Sequence, residues 1–305
     1  MIDWAGVFPA VTSQFDEQLK IDFDSIERMV DQLVDEGVHG IIALGTVGEN
    51  NSLTFDEKRD VLRSIRNAVD GRVPVLTGVS ELTTDAAKRF AKDAEEIGLD
   101  GLMVLPAMVY VPSDEELDWH FRQVAGATGL PVMIYNNPAA YRITIPVETL
   151  AGWSDVPNVV ALKESAEDSR RFTDIFNACG DRFAVFAGLD DLALEGLVLG
   201  ARGWVSGLTN AFPQESIAIY QAVLDGDLDR AREIYRWFLP MLHLDAQPNL
   251  VQCIKLAEEI MGRGSERVRP PRLVLSGKER KRVIEMVEKA AATRPVEVPA
   301  ATKAA

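Results

Sequence analysis

The stretch Gly40-Ile41-Ile42-Ala43-Leu44-Gly45-Thr46-Val47-Gly48-Glu49-Asn50, followed by Asp56–Val69 and then Pro74–Val79, decides the fold. A short apolar run closes on a glycine-rich turn, an amphipathic segment with acidic residues at its start returns, and a second apolar run follows. That is one β-α-β unit of a parallel sheet. Outward from it the alternation recurs. Candidate strands are Gly6–Thr12, Gly40–Leu44, Pro74–Val79, Gly101–Leu105, Pro131–Tyr135, Val159–Lys163, Phe183–Ala187 and Gly203–Gly207, eight in all. Between them, Ile26, Met29, Val30, Leu33 and Val34 share one helical face, and Thr84–Ile97 follows a capping cluster at Thr83-Thr84-Asp85. Gly37, Gly71, Gly98 and Gly200 stand where helices end.

Eight such units over residues 1–213 predict an α/β fold, a closed (β/α)8 TIM barrel. An open doubly wound sheet is the rival, but no GxGxxG follows the first strand. From 214 to 293 the pattern is helical, over Ala218–Leu224, Asp229–Leu244, Leu250–Met261 and Lys278–Ala291, which predicts a C-terminal helical extension. Residues 294–305 carry no periodicity and are expected to fray.

Hydrophobic residues make up 47% of the 305, enough to bury a core without a metal or disulfide staple. A net charge of −15 argues against nucleic acid and anionic membrane surfaces as partners. Two cysteines, Cys179 and Cys253, form no framework and fit a reducing compartment. No basic leader and no apolar run of about 18 residues is present, so a cytoplasmic location is expected. His39, His120 and His243 lie in no ligand spacing, and neither metal nor cofactor is expected.

In a β/α barrel the chemistry sits where strands end. The sixth strand ends Val159-Val160-Ala161-Leu162-Lys163-Glu164. Alternation puts Lys163 on the face of Val159 and the small Ala161. Either the lysine has emerged into solvent and pairs with Glu164 or Glu167, or it is buried and loses its proton, as a Schiff-base nucleophile must. Tyr135 ends the fifth strand, either as a packing aromatic or as a proton relay at the level of Lys163. The Gly45-Thr46-Val47-Gly48 turn is either an ordinary loop or a nest of backbone N–H groups for a substrate carboxylate. Gly188 and Gly207 permit close approach of substrate. Asp190 and Asp191 either accept from substrate hydroxyls or cap the next helix.

Gly45-Thr46-Val47-Gly48-Glu49, Tyr135-Asn136-Asn137-Pro138 and Leu162-Lys163-Glu164, in that order and spacing, resemble the dihydrodipicolinate synthase / N-acetylneuraminate lyase family. The resemblance runs from about Gly6 to Arg280. It implies a homotetrameric barrel in which Lys163 forms an imine with a small oxo or imino acid, Tyr135 shuttles protons, and Thr46 and Val47 hold the carboxylate. Substrate contacts are also expected from the ends of the seventh and eighth strands, at Gly188, Asp190, Val205 and Ser206.

Three departures from the lysine-pathway synthase stand out. Val47 replaces a second threonine, Pro106-Ala107-Met108-Val109-Tyr110 stands where a tyrosine pair is expected, and Ala140 stands where an arginine contacts a second substrate. Tyr110 and Arg142 are the nearby residues that could substitute. Other stretches are similar to the 1-pyrroline-4-hydroxy-2-carboxylate deaminases: Gly6–Thr12, Ala140-Tyr141-Arg142, Tyr235-Arg236-Trp237-Phe238 and Val251–Glu258. That resemblance implies deamination of the hydroxylated cyclic imine, with Asp190, Asp191 or Ser206 at its hydroxyl. The alternatives are dihydrodipicolinate synthesis, cleavage or dehydration of a 2-keto-3-deoxy sugar acid, and an oxo-acid-binding barrel without turnover.

Overall fold

A computed structural model describes residues 4–107 and 110–297. Its eight strands are β1 (Gly6–Pro9), β2 (Ile41–Ala43), β3 (Val75–Val79), β4 (Gly101–Val104), β5 (Val132–Asn136), β6 (Val159–Glu164), β7 (Ala184–Ala187) and β8 (Gly203–Ser206). Each lies within a residue or a few of its expected position. All pair in parallel, in the order β1-β8-β7-β6-β5-β4-β3-β2. The seam closes where Ala10 bridges Ile42 and the Val11 N–H donates to the Ile42 carbonyl at 2.9 Å. The chain is a (β/α)8 TIM barrel.

The helices are α1 (Phe23–Asp35), α2 (Phe55–Val69), α3 (Thr84–Ile97), α4 (Asp114–Ala125), the single turn α5 (Pro138–Tyr141), α6 (Val147–Gly152), α7 (Arg170–Cys179), α8 (Ala193–Val198), α9 (Pro213–Leu224), α10 (Leu228–Leu242), α11 (Leu250–Ile260) and α12 (Gly277–Ala292). Local chemistry sets their starts. Thr54 and Ser113 form capping boxes with Glu57 and Glu116, and Thr83 accepts from the Ala86 N–H. The sequence places the extension from residue 214, but α9 packs against β1 and completes the outer ring. Among the described residues no helix is long and apolar enough to cross a membrane.

The barrel floor is aromatic. Phe8 and Phe186 meet edge to face with centroids 5.2 Å apart, and a Cβ at Gly203 would fall 2.3 Å from the Phe186 ring. The bare glycine makes room for the ring and the ring closes the floor, so the open end is the C-terminal one.

Helix α11 carries Lys255 and Glu258 on an otherwise apolar face, and both are anchors. Lys255 Nζ donates to the Ser13 carbonyl at 2.7 Å and to Glu49 at 3.1 Å, while Glu258 accepts from Thr12 and Gln14. These bonds fix the extension to the loops after β1 and β2. The tail departs from expectation at its start. Arg294 pairs with the fully buried carboxylate of Glu215 at 2.6 Å, and Val296 packs on the core. The rest of the segment expected to fray, residues 298–305, lies outside the described residues.

Candidate active site

Lys163 is buried, with 6% of its surface exposed, near the C-terminal end of β6. Register sets its neighbours: Lys163 pairs with Tyr135 on β5 and Phe186 on β7. The Lys163 Nζ sits 4.1 Å from the centre of the Tyr135 ring. It donates to no protein acceptor among the described residues. Burial pushes its pKa below the ordinary lysine value, against the opposing pull of Asp245, Tyr141 and Asp190. The solvent-exposed alternative fails. Glu164 faces away, accepting from Asn136, the Ala166 N–H and Arg171.

Gly188 is what lets the lysine lie there. A Cβ at Gly188 would stand 2.6 Å from Lys163 Cγ and 2.3 Å from Ser165 Oγ. Sequence reasoning assigned this glycine to substrate approach, whereas the Lys163 and Ser165 side chains fill the space its Cβ would need.

Lys163 opens into a small cavity of about 40 Å³ at the C-terminal end of the barrel. Thr46, Val47, Tyr135, Tyr141, Gly188 and Asp245 are among the residues that line it. The Thr46–Glu49 turn is built on strained backbone, with Leu44 at φ 52° and Glu49 at φ 53°, both left-handed. Asn50 braces the turn by donating to the Leu44 carbonyl at 3.0 Å. The backbone N–H groups of Thr46 and Val47 have no protein acceptor among the described residues. The Thr46 hydroxyl instead makes a short hydrogen bond with the Tyr141 hydroxyl.

Tyr141 and Tyr135 meet edge to face at 5.7 Å, and Asn137 donates to the Tyr135 hydroxyl at 2.9 Å. Burial pushes the Tyr135 phenol up to about 12 and Tyr141 higher still, so both stay protonated at neutral pH.

Six of the expected residues therefore meet at one cavity: Lys163, Tyr135, Thr46, Val47, Gly188 and Gly207. Six do not line it. Asp190 is buried behind the wall, where it accepts from Trp204 Nε1, Ser206 Oγ and the Leu208 N–H at 2.9, 3.1 and 3.0 Å. Burial lifts its pKa to about 6. Ser206 is committed to that same bond, and Val205 is packed in the core. Arg142 is exposed in a left-handed conformation at the end of α5. Asp191 bonds His243 at 2.8 Å, and Tyr110 is exposed and donates to Glu116. Neither Asp191 nor Tyr110 lines the cavity.

Two polar lining residues escaped the sequence reading. Tyr141 lies in a quoted stretch but was read only as kinship. Asp245 lies in the loop between α10 and α11, where nothing marks an acidic residue as inward-facing. Burial and the nearby Asp190 push its carboxyl well above the usual range, with Lys163 opposing. No group of His, Cys, Asp and Glu residues able to hold a metal occurs among the described residues.

The model of the dihydrodipicolinate synthetase family matches residues 3–290. The chain belongs to that family. The 4-hydroxy-tetrahydrodipicolinate synthase 2 of Halalkalibacterium halodurans is 31% identical over 288 residues, covering 94% of this chain and 98% of that one. The 4-hydroxy-tetrahydrodipicolinate synthase of Methanococcus maripaludis is 31% identical over 267 residues, covering 87% and 91%. The crystal structure of dihydrodipicolinate synthase from Aquifex aeolicus superposes with a TM-score of 0.91 at 29% identity, covering 94% and 98%. Members of the dihydrodipicolinate synthetase family are class I Schiff-base lyases acting on small molecules, and this chain is an enzyme of that class.

Proposed function

We propose that the chain deaminates 1-pyrroline-4-hydroxy-2-carboxylate through an imine on Lys163. One observation carries the choice within the family: among the described residues Lys163 is the cavity's only basic side chain, and Asp245 faces it. A synthase that joins two carboxylate-bearing substrates needs a second cation, and here Ala140 lines the wall instead. A cyclic imine with one carboxylate needs only the Thr46 and Val47 amides and the lysine. The names of the curated relatives favour the synthase, and the experiment below separates the two.

In this reading the neutral Lys163 amine adds to C2, and a proton passes between the two nitrogens. Tyr135 then protonates the ring nitrogen as the C2–N bond breaks, which opens the ring and leaves a Lys163 iminium and a phenolate. The phenolate takes a proton from C3, giving the enamine and restoring Tyr135. Tyr141 holds the Thr46 hydroxyl in line with that relay. Loss of water, tautomerisation and hydrolysis give 2-oxoglutarate semialdehyde and ammonia.

We also propose a cytoplasmic homotetramer. Tyr110, Val111 and Trp119 leave an apolar patch more than half exposed, which an assembly would cover.

The test is borohydride reduction in the presence of the pyrroline, pyruvate or 2-keto-3-deoxygluconate, followed by peptide mass spectrometry and an ammonia assay. The expected result is an adduct on Lys163 from the pyrroline, with ammonia released, and none in Lys163→Ala. An adduct with pyruvate alone and no ammonia from the pyrroline would overturn the reading in favour of the synthase.

A further inference from the structure

The loss of water from C4 needs a proton donor, and the acids expected for it are unsuited. Asp190 and Ser206 are bonded to each other behind the wall, and Asp191 is held by His243. Asp245 differs in three respects. It lines the cavity that Lys163 opens into. Its side chain takes no hydrogen bond from protein among the described residues, although its neighbours Asp190 and Asp191 are both bonded. Its Oδ1 also lies 2.6 Å from where a Cβ at Gly207 would stand, with Ile254 Cδ1 equally close to that point. The bare Gly207 thus makes room for the carboxyl as Gly188 does for the lysine.

A carboxyl without a protein partner, in an apolar wall beside an amine, has a donor or acceptor to offer to something else in that cavity. Burial and the nearby Asp190 raise its carboxyl well above the usual range, the direction an acid catalyst needs.

Resting on the function proposed above, we propose that Asp245 hydrogen-bonds the C4 hydroxyl of the substrate and acts as the general acid for its departure. In the Lys163 enamine the C2–C3 electron pair shifts to form C3=C4, the C4–O bond breaks, and the Asp245 proton leaves with the hydroxyl as water. The product is a conjugated iminium and an Asp245 carboxylate. That carboxylate then removes a proton from C5, producing the tautomer that leads to the hydrolysable imine and restoring the acid. No outside oxidant, reductant or co-reactant is involved.

The test is Asp245→Asn, which keeps the shape and the ability to bond a hydroxyl but has no proton to give. Ammonia release should fall by at least about 100-fold, the lower bound for a lost general acid. Borohydride should still trap the pyrroline on Lys163, but as an adduct heavier by one water than the dehydrated one from wild type. Asp245→Glu should recover part of the rate. Ammonia release at the wild-type rate, or a dehydrated adduct from Asp245→Asn, would overturn the assignment. Loss of the pyruvate adduct in Asp245→Asn would also overturn it, by showing that the residue only supports Lys163. If wild type itself traps pyruvate but neither traps nor deaminates the pyrroline, the substrate reading fails, and it fails independently of the variant.

Discussion

Gly188 shows how one missing methyl group makes the proposed nucleophile possible. The β-carbon of an alanine would stand within 2.6 Å of Lys163 Cγ and 2.3 Å of Ser165 Oγ, far inside contact distance. Both neighbours are buried, so the lysine must shift. Overpacking of this kind costs about 1–3 kcal/mol. If that cost falls on the attack geometry, Gly188→Ala should slow imine trapping by about 10- to 100-fold, while circular dichroism still reports a folded barrel. Unchanged trapping would mean that the lysine has more room than the distances allow. The pH profile belongs to the same scale. Because burial lowers the Lys163 pKa, trapping should rise with pH and level off below the ordinary lysine value of 10.5. Tyr135, raised to about 12, should not limit it from above. Lys163, Tyr135 and Thr46 were legible because strand ends are legible: an apolar run that stops on a polar residue marks the barrel mouth. Asp245 and Tyr141 were not, because a loop and the single turn α5 carry them there, and no periodicity says which way their side chains point.

Among the elements, the segment after α11 also ties the extension to the barrel. Arg269 bonds Glu57 at 2.8 and 2.9 Å, donates to the carbonyls of Leu19 and Ser52, and stacks on Phe15. Its own N–H donates to Glu49, which ends the Thr46 turn. Glu57 also closes the capping box of α2, so one carboxylate joins a helix start to the extension. Arg269 holds the Glu57 carboxyl down at about 2, from 4.5. A depressed carboxylate contributes stability that is present above 4.5 and lost as pH falls from there to about 2. Glu57→Gln keeps the cap and removes the ion pair. It should cost about 1–2 kcal/mol near neutral pH, by denaturant unfolding, and the gap from wild type should close toward pH 2. A gap that persists there would place the cost in packing. The helices of the extension were legible from their spacing, but their docking was not. Lys255 in the sequence is a charge in an apolar helix, and only the fold reveals Glu49 opposite.

For the whole molecule, charge and site pull in opposite directions. The chain carries a net −15, yet its proposed substrate is an anion that must reach a cavity whose attracting groups are two backbone amides and a buried amine. The long-range field therefore repels the substrate, and only the last few ångströms attract it. Salt discriminates between the two. Exposed charges are screened beyond about 10 Å at 0.1 M ionic strength, whereas buried groups are screened much less. Raising ionic strength from low values with an inert salt should lower KM and raise kcat/KM by about twofold, with kcat unchanged, because screening removes the repulsion and leaves the site intact. The measurement is initial-rate ammonia release across a salt series, repeated with a second inert anion so that specific competition at the Thr46 turn is recognised. A fall in kcat/KM common to both salts would mean that the cavity mouth is locally positive despite the net charge, and that approach is steered toward Lys163 rather than opposed.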